Sequence, residues 1–267
     1  MFIDYKTEKR SNQVELKLDF SKSLEPVCSE IIRTIRQYGL IEQGEKIAIA
    51  VSGGKDSIVL LFLLWYINKY SYQHFELVAM HVRTADYDTT LISRMCVSLG
   101  IDYYELKINM ERITAEKSIC YSCSRFKRVA MWEKMSELGI SKLALGHHAN
   151  DVAETFFMNL LEHSRIESLK PKVVYRKYAL TVIRPMISIL EEKIVRIFEE
   201  RELQILDYQC PFEEDNIRND FRIKLKEMSQ LFNSHDLIKR VVKALRDNNP
   251  NDCWILDDTS NSYQLEK

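Results

Sequence analysis

An α/β fold, a doubly wound parallel sheet with helical additions at both ends, is what three observations on this 267-residue chain predict. Short apolar runs alternate with segments of helical length as far as residue 162, the pattern of strand–helix–strand units. All seven glycines lie at or before Gly146, several just after a helical segment, where a left-handed residue ends a helix. The chain beyond has no glycine and reads mostly as amphipathic helices.

Taken in order, Leu24–Tyr38 has helical spacing with Gly39 as its cap, and Lys46–Val51 is a short buried strand. Ser57–Tyr70 is a helix apolar nearly all round, hence packed on both sides. Phe75–Val82, Tyr103–Ile108 and Lys142–Leu145 read as further strands. Thr89–Leu99, Arg125–Leu138 and Asp151–Glu162 read as the helices between and after them. Lys172–Ile183 suits a strand pair or an extended arm; Leu190–Arg201, Asn216–Leu231 and His235–Asp247 suit helices. The expected organisation is a helical segment over 1–45, a nucleotide-binding domain over 46–205, a helical region over 206–250 and a polar tail over 251–267.

Composition bounds the function. Hydrophobic residues are 46% and charged residues 29%, which excludes a disordered chain. Net charge is −1, so any nucleic-acid contact needs a local basic face. The longest apolar run, Ile58–Ile67, is about half of the ~20 residues a membrane span needs. The N-terminal residues show no apolar signal region. The expectation is a cytoplasmic protein with no membrane partner. Its six cysteines are then buried hydrophobes, metal ligands or redox groups rather than structural disulfides.

The first strand runs through Val51 into Ser52-Gly53-Gly54-Lys55-Asp56-Ser57, and a helix follows. Two glycines let the backbone approach an anion, and a helix start aims N–H groups and a positive dipole end at it. Ser52 and Ser57 add hydroxyls and Lys55 a charge. Asp56 is out of place in a phosphate cradle unless it helps hold Mg²⁺ or caps the helix. A second polar junction, Gly146-His147-His148-Ala149-Asn150-Asp151, also joins a strand to a helix. On local grounds Gly146 admits a nucleotide that His147 and Asp151 face, with Asp151 a candidate Mg²⁺ ligand. The plain alternative is a capped helix, Asp151 or Asn150 being the cap. His81, at a strand end, lies where sheets of this class bind adenosine.

Cys120 and Cys123 form a CxxC, and Cys210 supplies a third thiol. Cys28, Cys96 and Cys253 have no partner spacing and read as incidental thiols. Three thiolates suit a 4Fe–4S cluster with one open iron. With a fourth ligand from Cys253 or a histidine they suit zinc equally well.

SGGKDS after a buried strand resembles the signature of the PP-loop ATP pyrophosphatases, an adenine nucleotide alpha hydrolase-like fold. Tyr38–Lys46, the CxxC with Ser124-Arg125-Phe126-Lys127-Arg128 after it, and Cys210-Pro211-Phe212 look like the tRNA 2-thiocytidine synthetase branch. Further similarity runs through Asn159, Lys170-Pro171, Ile183-Arg184-Pro185 and Glu191-Glu192 to Arg218 and Arg222, about residues 25–232. The chain has Asn150 where the family has Asp, which puts the burden of that motif on Asp151. The resemblance implies a tRNA thiolation enzyme that adenylates a pyrimidine oxo group with ATP and Mg²⁺ and replaces it with sulfur. It favours a 4Fe–4S cluster on Cys120, Cys123 and Cys210 over zinc. Lys55 would stabilise phosphate charge, with Lys127 or Arg128 as a further candidate. Implied partners are tRNA, a cysteine desulfurase or free sulfide as sulfur donor, and a second copy in a homodimer. The rival within the family is a ligase using an amine nucleophile, which needs no cysteine triad; outside it stands a zinc-bound RNA-binding protein with a vestigial nucleotide loop.

Basic residues fit a tRNA phosphate track. Arg125, Lys127 and Arg128 follow the CxxC, and Arg218 and Arg222 follow Cys210. Lys170, Lys172, Arg176, Lys177 and Arg165 face only Glu167 between residues 164 and 177. Tyr175, Tyr178 and Phe212 suit either base stacking or core packing.

Overall fold

The structure is a computed structural model that describes residues 4–6, 24–108, 119–208, 217–232 and 236–247. Its seven strands are β1 (Asp4–Lys6), β2 (Lys46–Ala50), β3 (Glu76–Arg83), β4 (Asp102–Lys107), β5 (Lys142–Ala144), β6 (Lys172–Tyr175) and β7 (Leu180–Ile183). They form one sheet in the order β1-β4-β3-β2-β5-β7-β6. β4, β3, β2, β5 and β7 run parallel. β1 and β6 close the two edges in antiparallel pairing. Strand order reverses at β2, with β3 and β4 on one side and β5 and β7 on the other. Sheets of this type bind ligands at that reversal, outside the strand carboxyl ends.

Among the described residues eight α-helices accompany the sheet: α1 (Leu24–Gln37), α2 (Lys55–Tyr70), α3 (Thr90–Leu99), α4 (Ile119–Glu137), α5 (Ala149–His163), α6 (Glu191–Glu200), α7 (Ile217–Leu231) and α8 (Leu237–Asp247). The strand KIAIA is apolar on both sides because both sides are covered. Ile47 and Ile49 enter one core with α1, α2, α3, α6 and α8. Ala48 enters the other, with Val78, Met80 and residues of α4. Every residue of α2 from Ser57 to Ile67 is buried, as its all-round apolar sequence predicts. Gly39 and Gly100 follow α1 and α3 with φ of 54° and 68°, and Gly100 donates its N–H to the Cys96 carbonyl.

Three expectations change. The N-terminal segment expected to be helical contains β1, a strand paired with β4. Three residues are too few to show a periodic signal. α4 begins at Ile119, not Arg125, so the CxxC stands inside its first turns rather than before it. Cys and Ser are weak helix formers and hide this start. α1, the sheet, α6 and α8 also share one core, so the segments expected at 1–45 and 206–250 contribute helices to the same body.

Phe62 is fully buried between the sheet and its neighbouring helices. Phe62→Ala is expected to cost about 3–5 kcal/mol through lost burial and a cavity. Urea unfolding checks this; a loss below about 1 kcal/mol, typical of surface positions, would contradict enclosure of α2.

Candidate functional site

β2, β5 and β7 are adjacent and parallel, so the turns that follow them lie at one end of the sheet. α2, α5 and α6 start from those turns. Their first turns hold Asp56, Asp151 and Glu191, carboxylates stabilised by the positive helix ends. Lys55 crosses between two of these helices. Its Nζ lies 2.6 Å from Asp56 Oδ1 and 3.1 Å from Glu191 Oε1. Burial works against the Lys55 charge, but the bonds to Asp56 and Glu191 outweigh it and raise its pKa. Burial likewise opposes the charge of Asp56, but His148 and Lys55 outweigh it and bring its carboxyl down to about 2. The fully buried His148 places Nε2 3.7 Å from Asp56 and 3.5 Å from Asp151. The two carboxylates raise its pKa against the effect of burial.

The loop itself is held by its serines. Ser57 Oγ donates to the Gly54 carbonyl at 2.9 Å and accepts from the Ser52 N–H at 3.1 Å. The Ser52 hydroxyl, 3.0 Å away, then donates to Ser57 Oγ. Both hydroxyls thus shape the loop. α2 starts at Lys55, two residues before the expected Ser57, with Gly54 as its exposed cap; Asp56 does not cap it. Gly53 has φ of +89°, and a Cβ there would lie 2.3 Å from Leu206 Cδ1. Gly146 was expected to admit the nucleotide. A Cβ there would lie 3.1 Å from the Asp56 carbonyl and the Ser57 nitrogen, so its bareness admits the first turn of α2.

The second junction also differs. His148, not Asn150 or Asp151, is the N-cap of α5. Asp151 is the third helical residue and accepts the His148 backbone N–H at 2.9 Å. Asn150 Oδ1 accepts the Glu191 N–H at 3.0 Å and so ties the start of α6 to the start of α5. That gives position 150 a role an uncharged acceptor fills. His147 accepts from Arg184 Nε at 3.3 Å. Among the described residues no group of three or more His, Cys, Asp and Glu is placed to hold a metal ion.

His81 is 2% exposed and both its nitrogens are engaged. Nδ1 lies 2.7 Å from the Val51 carbonyl, which can only accept, so Nδ1 has the proton. Nε2 then accepts from the Tyr87 hydroxyl at 2.9 Å. Tyr87, pushed up to about 12 by burial and by Tyr208, stays protonated to donate. Lys127 of α4 is one of the charges that lower the His81 pKa, after burial. Lys127 follows Cys123 by one helical turn, so the two share a face. Cys123 is half-buried, while burial pushes the Cys28 and Cys96 thiols up to about 12. Position 120 is in α4; the Cys120 side chain, Cys210 and Cys253 lie outside the described residues.

The basic residues divide. Arg125 and Arg176 are exposed; Lys170 and Arg128 are half-buried. Lys172 donates to the Gly39 carbonyl at 3.0 Å, and Arg222 pairs at 2.8 Å with Glu154, itself 2% exposed. These two also hold elements together. The Arg218 side chain and Phe212 lie outside the described residues. Tyr175 and Tyr178 pack on Trp132 at 5.5 and 4.9 Å; Tyr175 is half-buried and Tyr178 remains 44% exposed. Sequence reasoning did not assign Glu191, His148, Tyr87, Leu206 or Tyr208 to the site. Glu191 was legible as an acidic residue in a helix's first turn. The loop residues had no periodic signal.

The PP-loop domain family model matches residues 24–228. A tRNA-cytidine(32) 2-sulfurtransferase of Dechloromonas aromatica is 32% identical over 74% of this chain and 70% of its own length. The chain belongs to this family. The Variovorax paradoxus tRNA-cytidine(32) 2-sulfurtransferase is 28% identical over 95% of this chain and 84% of the relative. In fold, the PP-loop chain is similar to the U34-tRNA thiolase NcsA of Methanococcus maripaludis, solved with its [4Fe-4S] cluster. The TM-score is 0.66 at 21% identity, over 83% of this chain and 78% of that one.

In this PP-loop site His81 is held neutral. Burial, first, and the nearby Lys127 and Arg83 charges lower its pKa below 6.5, against Val51 and Glu105. A depressed histidine contributes stability above its unfolded pKa near 6.5 and loses it as pH falls through the lower native value. NMR is expected to show the His81 ring neutral at pH 6.5; a midpoint at or above that pH would contradict the burial and the tautomer.

Proposed function

We propose that the chain is an ATP-dependent tRNA sulfurtransferase forming 2-thiocytidine in the anticodon loop. The observation that supports it most is Lys55, held charged where three helix starts converge, in a chain whose relatives are tRNA-cytidine(32) 2-sulfurtransferases. Gly54 and the start of α2 present backbone N–H groups and a positive helix end, which suit ATP phosphates. Lys55 exchanges its carboxylate partners for phosphate oxygens and stabilises the charge that develops as pyrophosphate leaves. The cytidine oxygen attacks the α-phosphorus; the bond to the β-phosphate oxygen breaks. A sulfur nucleophile then adds at the same carbon and the C–O bond breaks, releasing AMP. Lys127 or Arg128 offers a further cation. His81 fixes the Val51 carbonyl at the root of the loop.

Asp56 and Asp151 flank one buried histidine, and two carboxylates with phosphate oxygens and water suit Mg²⁺. The half-buried Cys123 beside a basic helix face, in contrast to the two buried, protonated thiols, supports a cluster ligand at this position. Cys120, Cys123 and Cys210 would hold the cluster, which supplies an open iron site for exogenous sulfur. Arg125, Lys127, Arg128, Lys170 and Arg176 would contact tRNA phosphates. The reading includes a homodimer in the cytoplasm, with a cysteine desulfurase or free sulfide as sulfur source. No described helix is long and apolar enough to cross a membrane.

Mass spectrometry of tRNA nucleosides with and without the gene tests the product. Loss of 2-thiocytidine on deletion supports the reading; an unchanged nucleoside profile overturns it. Lys55→Ala is expected to abolish the product while leaving the visible absorption of the bound cluster intact. Normal thiolation by that variant would contradict the assignment of the loop. Cys210→Ser is expected to lose the cluster and all thiolation but to keep some tRNA-dependent pyrophosphate release, and Cys253→Ser to lose neither. Pyrophosphate and thionucleoside are measured together under anaerobiosis; an inactive Cys253→Ser enzyme would point to a fourth ligand and zinc.

A further inference from the structure

The segment after α6 lies on the nucleotide loop at two places. Leu206 donates its N–H to the Gly53 carbonyl at 3.0 Å, and its side chain covers the bare α-carbon of Gly53. Two residues on, Tyr208 stacks on Tyr87 with ring centroids 3.9 Å apart and planes 17° from parallel. Tyr87 donates to His81, and His81 donates to the Val51 carbonyl. Both contacts therefore end on loop residues, 51 and 53. Tyr87 is itself fixed. Arg83 spans the turn that bears it, pairing with Glu105 at 2.9 Å and with Asp86, while its guanidinium lies 5.6 Å from the Tyr87 ring. Thr89 donates to the same Glu105 carboxylate. The stack thus joins Tyr208 to a fixed tyrosine that is hydrogen-bonded to the histidine at the root of the loop.

We propose that Tyr87 and Tyr208 are positioning residues, a clamp that fixes residues 203–208 against the nucleotide loop. Tyr208 stands two positions before Cys210, a separation the chain spans in at most about 7 Å. The clamp thus ties the chain entering that thiol to the conformation of the loop. The inference rests on the proposed function for the role of Cys210. Its geometry is independent of that role.

The test uses the full chain, with one readout that needs neither cluster nor thiolation. In cluster-free protein, the rate at which iodoacetamide labels Cys210 is followed by mass spectrometry with and without Mg²⁺ and a non-hydrolysable ATP analogue. The nucleotide is expected to change that rate in the wild type and not in Tyr208→Ala. In reconstituted protein, Tyr208→Ala is expected to lose about 10–100-fold in thionucleoside yield, the scale of a misplacement of about 1 Å. Iron content and tRNA-dependent pyrophosphate release should persist. Tyr208→Phe keeps the stack and should restore both the yield and the nucleotide effect on labelling. Should Tyr208→Ala not fold, Tyr208→Leu covers the same surface without the stack and is expected to behave alike. A nucleotide effect that survives in Tyr208→Ala or Tyr208→Leu overturns the clamp, and so does a Tyr208→Phe protein that has lost it. If the wild type makes no thionucleoside, the proposed function fails, and labelling alone decides the clamp.

Discussion

Everything at the site depends on one constraint, the side-by-side parallel run of β2, β5 and β7. Neighbouring parallel strands deliver their following turns to the same end of the sheet, and helix starts with them. Each start leaves N–H groups unpaired and contributes part of a positive charge. Three starts together make a field that favours anions. The resident carboxylates Asp56, Asp151 and Glu191 respond to that field, and Lys55 in turn lies between two of them. The Lys55 charge is thus paired with carboxylates of two helix starts.

The same end of the sheet is held stiffly on its other side. His81 is buried, neutral and bonded at both nitrogens, so it links strand to loop without adding charge. The positive charge of Lys127, on α4, the helix that includes Cys123, also lowers the His81 pKa. Thiol chemistry divides by burial. Cys28 and Cys96 sit in apolar surroundings that keep a thiol protonated, whereas Cys123 is half-buried next to basic residues. Two glycines serve tight packing as much as ligand approach. Gly146 lets the β5–α5 turn meet α2, and Gly53 takes the Leu206 side chain.

Much of this was legible in the sequence because local physics controls it. A buried parallel strand must be apolar on both sides, and a helix apolar all round must be enclosed; KIAIA and Ile58–Ile67 meet those demands. Glycines at helix ends mark positive φ. The phosphate loop is legible because Gly, Lys and Ser at that spacing, between a strand and a helix, have few other uses. The motifs around Cys120, Cys123 and Cys210 pointed to the family for the same reason.

What only the tertiary structure decided is which groups meet. Glu191 lies 136 positions after Lys55 and Tyr208 lies 121 after Tyr87 in the chain. No periodicity links such pairs, because sheet order sets them. Asn150 and Asp151 looked like interchangeable caps, yet one serves α6 and the other its own helix. Arg222 and Lys172 looked like members of a basic track and proved to be pinned to Glu154 and the Gly39 carbonyl. The chain by itself determined the strands other than β1, the helices apart from the start of α4, the phosphate loop and the family. Packing decided the partners of each charge, because an ion pair depends on distance in space, which sequence separation does not encode.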